Sequence, residues 1–496
     1  MSTMTWLQEI RAHSGTPRTT GLPDDVVTRF AAKDPKLGAA VELAIERHRQ
    51  LRETHGALLA MDEADLIGKL QQGYVNFYQP ATVNPYVALA AKGPWVISSH
   101  GAVIHDSGGY GMLGQGHNPD VVLQALARPQ VMANVMTASF SQLAFDERLR
   151  RELGHTRPEG CPFDRFICLN SGSEAVTMAS RLADINARTM TAPGARHAGR
   201  RIKALAIEGG FHGRTCRPAR ISDSCRDAYE KHLASFLDHS DLVVVPQNDL
   251  AALELAFTQA EEQGWFYEAL YMEPVQGEGA PGHAITRAFY DLAARRIHDM
   301  GGLLVIDSIQ AGLRAHGVLS VVDYPGFQDA VVPDVETWSK ALNAGQYPMS
   351  VLGLSERGSS VYVSGVYGNT MTTNPRALDV AVAVLDGVTP ALRENICARG
   401  DEFIRKLRAL AQDFPGMVAG VQGTGLLFCV ELNANTPVVG FGGPEERCRR
   451  AGMGVIHGGK NALRFTPHFA IDSDEIDLMV GVLRAVLTEI QAVQAA

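Results

Sequence analysis

Between about residues 120 and 375, short apolar runs alternate with stretches of helical periodicity, and this alternation constrains the fold more than any other feature of the chain. The runs are DRFICLN before SEAVTMASRLADINARTM, then KALAIEG, DLVVVP, ALYMEP and GLLVID. Such alternation is the signature of βα units that build a mostly parallel sheet flanked by helices. With 496 residues, 46% of them hydrophobic, the chain can fill two or three packed units, which excludes disorder, a collagen-like repeat and a small disulfide scaffold.

Outside that stretch the texture changes. Residues 41–61 (VELAIERHRQLRETHGALLAM) space apolar residues as an amphipathic helix does, and WVISSHGAVIHD followed by GGYGMLGQGHNP predicts an irregular or antiparallel lead-in. Beyond Pro375 come helical runs at RALDVAVAVLDGV and 391–414, the strand GLLFCVEL and a closing helix from Ser473. The expected organisation is a helical N-terminal segment (1–90), a lead-in to a small domain (91–120), a large α/β domain (121–375) and a C-terminal small α+β domain (376–496).

Charge and cysteine usage narrow the function classes. With 45 Lys+Arg against 54 Asp+Glu and no basic run, the chain offers no footprint for nucleic acid or an anionic membrane. Its 7 cysteines form no CxxC pair and no Cys/His spacing suited to zinc, so no metal is expected and the thiols read as reduced. The first residues lack a signal peptide's basic start and apolar core, and no run approaches a membrane span. A cytoplasmic location is expected.

Four places carry possible chemistry. GLLVID ends in Asp307, either a cap for the next turn or a carboxylate at the ligand-facing end of a parallel strand. Lys340 lies near Trp338 and the AGQYP turn; it is either a solvated surface charge or an ammonium whose semi-apolar setting lowers its proton affinity enough for a Schiff base. Asn170-Ser171-Gly172-Ser173-Glu174 opens a helix after a strand, as a plain Ser cap or as a phosphate cradle of backbone N–H groups. Phe211-His212-Gly213-Arg214-Thr215 is an ordinary loop or one that lays an aromatic on a planar ring.

Taken in order, these motifs resemble the class III aminotransferases (ornithine/ω-amino-acid type) among the fold type I pyridoxal-phosphate enzymes. The resemblance spans roughly residues 90–490 and adds Gly116-His117, the run Glu273-Pro274-Val275-Gln276-Gly277-Glu278-Gly279, Thr370 with Asn374-Pro375, and Arg464-Phe465-Thr466-Pro467. It implies a transaminase that moves an amino group from an amino acid or ω-amine to a keto acid such as 2-oxoglutarate or pyruvate, by a ping-pong route. Lys340 then carries pyridoxal 5'-phosphate as an aldimine and acts as general base, with Asp307 against the pyridine nitrogen. Gly172 and Ser173 hold the phosphate, Phe211 stacks on the ring beside His212, Gln310 reaches the phenolic oxygen, and Glu273 lies close by. Thr370 serves the neighbouring subunit's phosphate, which makes a homodimer. Arg464 grips a substrate carboxylate, Glu278 covers that arginine when a terminal amine reacts, and Tyr110 shapes the pocket.

Four departures from the family pattern stand out: Ser308 and Ala311 in the Asp307 strand end, Thr372-Thr373 where relatives carry Gly-Gly, and His468 in place of a second proline. Ser308 is expected to alter packing and not chemistry, since the residue after Asp307 points away from the ring. The same fold and lysine also support a racemase, epimerase or aminomutase, which is the main rival reading. A non-catalytic pyridoxal-binding protein is a third, weakened by the presence of both Lys340 and Asp307.

Overall fold

A computed structural model describes residues 2–238 and 241–495, and contacts within the chain divide it into two compact units. The larger comprises Val121–Cys397 and Gly423–Leu427; the other joins Met1–Asp120, Ala398–Gln422 and Phe428–Ala496. Segments that the residue pattern separates, 1–90, 91–120 and most of 376–496, thus share one unit.

The larger unit is built on a seven-stranded sheet. Its strands are β1 (Arg165–Leu169), β2 (Arg201–Ile207), β3 (Leu242–Val245), β4 (Trp265–Met272), β5 (Leu303–Asp307), β6 (Val335–Trp338) and β7 (Ser350–Leu354), in spatial order β1-β7-β6-β5-β4-β2-β3. The β3-β2-β4-β5-β6 run is parallel, and β7 lies antiparallel between β6 and β1. Helices Gly172–Met190, Leu250–Glu262 and Arg287–Met300 supply crossovers. The last ends at Gly301, whose φ of +90° places it in the left-handed region that caps a helix without steric cost, and the chain turns directly into β5. Ala175, Met178, Ala179 and Leu182 of Gly172–Met190 bury against Ala204, Ala269, Val305 and Leu352, which locks that helix onto the sheet.

In the other unit, helices Thr3–Ala12, Asp24–Ala31 and Pro35–Leu59 pack Leu7, Ile10, Phe30, Leu37, Val41 and Ile45 onto Trp95, Ile97 and Val103 of an antiparallel meander. Asp34 caps Pro35–Leu59 by accepting from Lys36 N and also accepts from the Trp95 indole at 2.7 Å, so one carboxylate starts the helix and fixes its partner. Near the C-terminus, Asp472 and Glu475 exchange hydrogen bonds at 2.9 Å and cap the helix Ser473–Ala495. The other oxygen of Glu475 accepts from His105 Nε2 at 3.0 Å and His468 Nε2 at 2.9 Å. Burial raises the Glu475 pKa, but the two imidazoles outweigh it and hold the carboxyl well below the usual range. These three are the only His, Cys or acidic side chains among the described residues grouped closely enough to hold a metal. Through the shared Glu475 oxygen the two imidazoles and the carboxylate form a hydrogen-bonded clasp. Among the described residues no helix is long and apolar enough to cross a membrane.

Candidate active site

Parallel strands bring their carboxyl ends to one edge of a sheet, and the residues that close or succeed β2, β4, β5 and β6 at that edge are largely polar. Asp307 closes β5, Glu273 comes just after β4, Phe211 and His212 lie in the loop after β2, and Lys340 stands two residues past β6. Asp307 is 4% exposed, and its carboxylate accepts from His212 Nδ1 at 2.9 Å, Ile309 N at 3.1 Å and Thr337 Oγ1 at 3.3 Å. Three donors hold this carboxylate in a fixed orientation. Burial pulls the His212 pKa down, but the hydrogen bond to Asp307 and the charges of Asp307 and Glu273 more than reverse this. Burial pushes Glu273 up to about 7, against the His212 charge and the N–H groups of Phe211 and Gly277, which bond it at 2.9 and 2.8 Å.

Lys340 Nζ donates to Gln310 Oε1, so the lysine reaches back to the turn after Asp307. Its backbone has φ +25°, outside the regions favoured by residues with a Cβ, at a cost on the order of 1 kcal/mol. Close approach is built in elsewhere by glycine: a Cβ on Gly213, at φ +112°, would meet Ser173 Oγ at 2.2 Å. This brings the Phe211–Thr215 loop against the first turn of Gly172–Met190, where Gly172 and Ser173 present N–H groups that have no intrahelical acceptor. The half-buried Phe211 ring carries the Arg214 guanidinium 5.5 Å from its centroid.

Lys340, Gln310, Asp307, His212, Glu273, Phe211, Gly172 and Ser173 therefore all belong to the larger unit's carboxyl edge or to the loop and helix beside it. Thr370 belongs to the same unit but lies exposed on a loop tied down by Tyr367 and Asn369, both of which bond Glu174 in that first turn. Glu278 is half-buried in the loop after β4. Tyr110 and Arg464 belong to the other unit: Tyr110 is 41% exposed with φ +53°, and Arg464 is buried on the strand Ala462–Phe465. Trp95 is wholly buried in that unit's core. Two contributors escape motif reading: Thr337 on Asp307, and Ser222, whose Oγ accepts from His212 N at 2.8 Å. Strand alternation offered a signal for Thr337; Ser222 lies in a helix-ending turn with none.

Lys340 and the buried Asp307 stand at the same carboxyl edge of a large, mostly parallel sheet flanked by helices, and that architecture is the one of the fold type I pyridoxal-phosphate enzymes. The family model for aminotransferase class III matches residues 77–487. The acetylornithine aminotransferase of Thermosynechococcus vestitus is 30% identical over 335 residues, 66% of this chain and 76% of the relative. Ornithine aminotransferase 2 of Staphylococcus aureus is 29% identical over 412 residues, 81% and 94% of the two chains. Among solved structures, the ornithine aminotransferase of Toxoplasma gondii ME49 superposes with a TM-score of 0.74 at 22% identity, covering 89% of this chain and 99% of that one. The chain belongs to the class III aminotransferases and is a pyridoxal-phosphate-dependent transaminase.

The residues present fit that cofactor on their own evidence. Gln310 Nε2 and His212 Nε2 are buried polar atoms that lack a hydrogen-bond partner among the described residues, and both side chains belong to the Asp307–Lys340 group. The donor set is also the right one for a phosphorylated heteroaromatic aldehyde: helix N–H groups, an amine, a fixed carboxylate and an aromatic face.

Proposed function

We propose that this transaminase takes amino groups from an amino acid or ω-amine donor and passes them to a keto acid, 2-oxoglutarate or pyruvate, with Lys340 as its proton-transferring residue. One observation carries the assignment of roles: Lys340 Nζ bonds Gln310 in the turn directly after Asp307, whose carboxylate His212 and Thr337 hold in place. Pyridoxal phosphate, when bound, supplies an electron sink for the pair left as a proton leaves the substrate carbon. Gly172 and Ser173 bind its phosphate through backbone N–H groups, and Phe211 covers the ring. Gln310 donates to the phenolic oxygen, a role supported by its unpaired Nε2. Asp307 holds a proton at the pyridine nitrogen, and Glu273 fixes the Phe211 and Gly277 backbones around the site. Lys340 Nζ takes the proton from the substrate carbon and returns it on the other side of the transfer.

Arg464 is assigned to the substrate carboxylate, Glu278 to covering that arginine, and Tyr110 to the pocket wall; the likeness to ornithine and acetylornithine aminotransferases supports an ω-amine donor. A homodimer is supported by apolar side chains left exposed around Thr370: Val131, Val135, Met136 and Phe140 are 62–90% exposed, and Asn134 bonds the Thr370 carbonyl at 3.2 Å. Among the described residues the cysteines form no disulfide, which supports a cytoplasmic home. The test is a donor and acceptor screen on the purified enzyme. Glutamate or alanine should form from the keto acid in step with donor loss; inversion or migration of an amine with no acceptor present would assign the racemase or mutase reading instead.

A further inference from the structure

On the face of β6 opposite Asp307 lies a buried carboxylate that the chemistry above does not use. Side chains alternate along a strand, so Thr337 faces Asp307 while Glu336 faces away, as does Ser308, the residue after Asp307. Glu336 is wholly buried; its Oε1 accepts from Ser308 Oγ at 2.6 Å and Val321 N at 2.9 Å, and its Oε2 from Ser320 Oγ at 2.6 Å. The Ser308 backbone is bound to the same strand, its N–H donating to Thr337 O at 3.0 Å, and its carbonyl accepts from Gly312 N at 2.8 Å. One side chain therefore ties together the turn after Asp307, the strand that leads to Lys340 and the 320–321 segment.

We propose that Glu336 is a positioning residue of this enzyme, fixing through Ser308 and Ser320 the turn that carries Asp307 and Gln310 against the strand that delivers Lys340. The inference rests on the roles assigned above to Lys340 and Asp307. Among the described residues no cationic side chain bonds Glu336. The titratable groups around it are Asp323, Tyr324 and Tyr290, with Asp334 at the start of β6 turned to His298 and Arg357. Burial pushes Glu336 up to about 7 against its three hydrogen bonds. What Glu336 supplies to its neighbours is acceptor geometry, since both oxygens take hydrogen bonds and no cation among the described residues pairs with it. A glutamine keeps that geometry, since its carbonyl can take Ser308 and Val321 while its amide donates to Ser320; a leucine leaves three buried donors unmet.

The test compares Glu336→Gln, Glu336→Leu and Ser308→Ala. For each, kcat and KM, the affinity of the apoprotein for pyridoxal phosphate, and the apoprotein Tm are measured. Glu336→Leu should lower kcat about tenfold or more and weaken cofactor affinity to a similar degree, with KM for the donor changed less than about twofold. Ser308→Ala, which removes one of three bonds, should move the same quantities about threefold and fold normally. Glu336→Gln should retain kcat and cofactor affinity. It should also melt higher than the parent at about pH 8.5 and match it near pH 5, because a buried acid with a raised pKa loses stability as pH rises through that pKa. Should folded Ser308→Ala and Glu336→Leu keep parental kcat and cofactor affinity, or should Glu336→Gln behave like Glu336→Leu, the positioning role is overturned. If the parent enzyme carries its cofactor on a lysine other than Lys340, the site assignment itself fails, and that result is independent of these variants.

Discussion

His212 gives its Nδ1 proton to Asp307 Oδ2 across 2.9 Å, and both side chains are more than nine-tenths buried. With Thr337 and Ile309 N, this contact aims the carboxylate. If Asp307 keeps the pyridine nitrogen protonated as proposed, Asp307→Asn should lower turnover by about three orders of magnitude and weaken cofactor retention. His212→Ala keeps the charge and loses only one charge-assisted bond, so about a 10- to 100-fold fall is expected. Steady-state rates with the cofactor in excess check both. Near-parental rates in Asp307→Asn would reduce Asp307 to a strand cap.

Lys340 should carry the cofactor. Borohydride reduction of the holoenzyme should add the cofactor mass to the peptide containing Lys340. Lys340→Ala should still bind pyridoxal phosphate weakly while losing turnover by roughly four or more orders of magnitude, since one substitution removes both the attachment point and the proton carrier. A label on another lysine would overturn the site.

Glu475 predicts acid behaviour of stability. Its folded pKa lies below the unfolded value, so its contribution is present above the ordinary glutamate pKa and is lost as pH falls through the range beneath it. Glu475→Gln leaves two imidazole donors facing a weaker acceptor and should cost about 3 kcal/mol at neutral pH. It should also flatten the drop of Tm between about pH 5 and pH 3. Thermal melts across that range read both; an unchanged slope would mean that the clasp carries no linkage.

Much of this arrangement is legible in the residues themselves. GLLVID, ALYMEP, KALAIEG and DRFICLN coincide with β5, β4, β2 and β1, because an unbroken apolar run bounded by polar turns has few other places to go. The cluster around Lys340 and Asp307 is a consequence, since each motif stands just past a strand end. Register and long-range pairing are another matter. Nothing local in Ser350–Leu354 says that β7 runs antiparallel between β1 and β6, nor that Thr3–Ala12 and Pro35–Leu59 share a core with Leu478 and Val482. Glu336 is the sharpest case: an acid inside a strand reads as a solvent-facing position, and only its pairing with Ser308, Ser320 and Val321 explains its complete burial.

Thr370→Ala tests the shared site. The residue is exposed on its own chain, so its loss should leave the melting of the apoprotein within about 2 °C of the parent. If Thr370 serves the phosphate of a neighbouring copy, cofactor affinity should nonetheless weaken, and sedimentation should show a dimer at assay concentration. A fully active monomer would remove the shared site.

Variants of Arg464 and Glu278 test the proposed substrate class. A guanidinium holds a carboxylate in a two-pronged fork, so Arg464→Ala should raise KM for the keto acid by the equivalent of about 1.5 to 3 kcal/mol, and Arg464→Lys should restore only part of this because it returns the charge without the fork. Glu278→Ala should act in the opposite sense on the donor side. If Glu278 covers Arg464 as proposed, α-amino acids should gain over terminal amines, because in the variant the arginine is open to the α-carboxylate in both half-reactions. Paired kcat/KM values for one α-amino acid, one terminal amine and each of 2-oxoglutarate and pyruvate separate the outcomes. If neither variant alters keto-acid kinetics, the acceptor carboxylate is held by a different residue, and the choice between ω-amine transfer and amine migration passes to the donor screen.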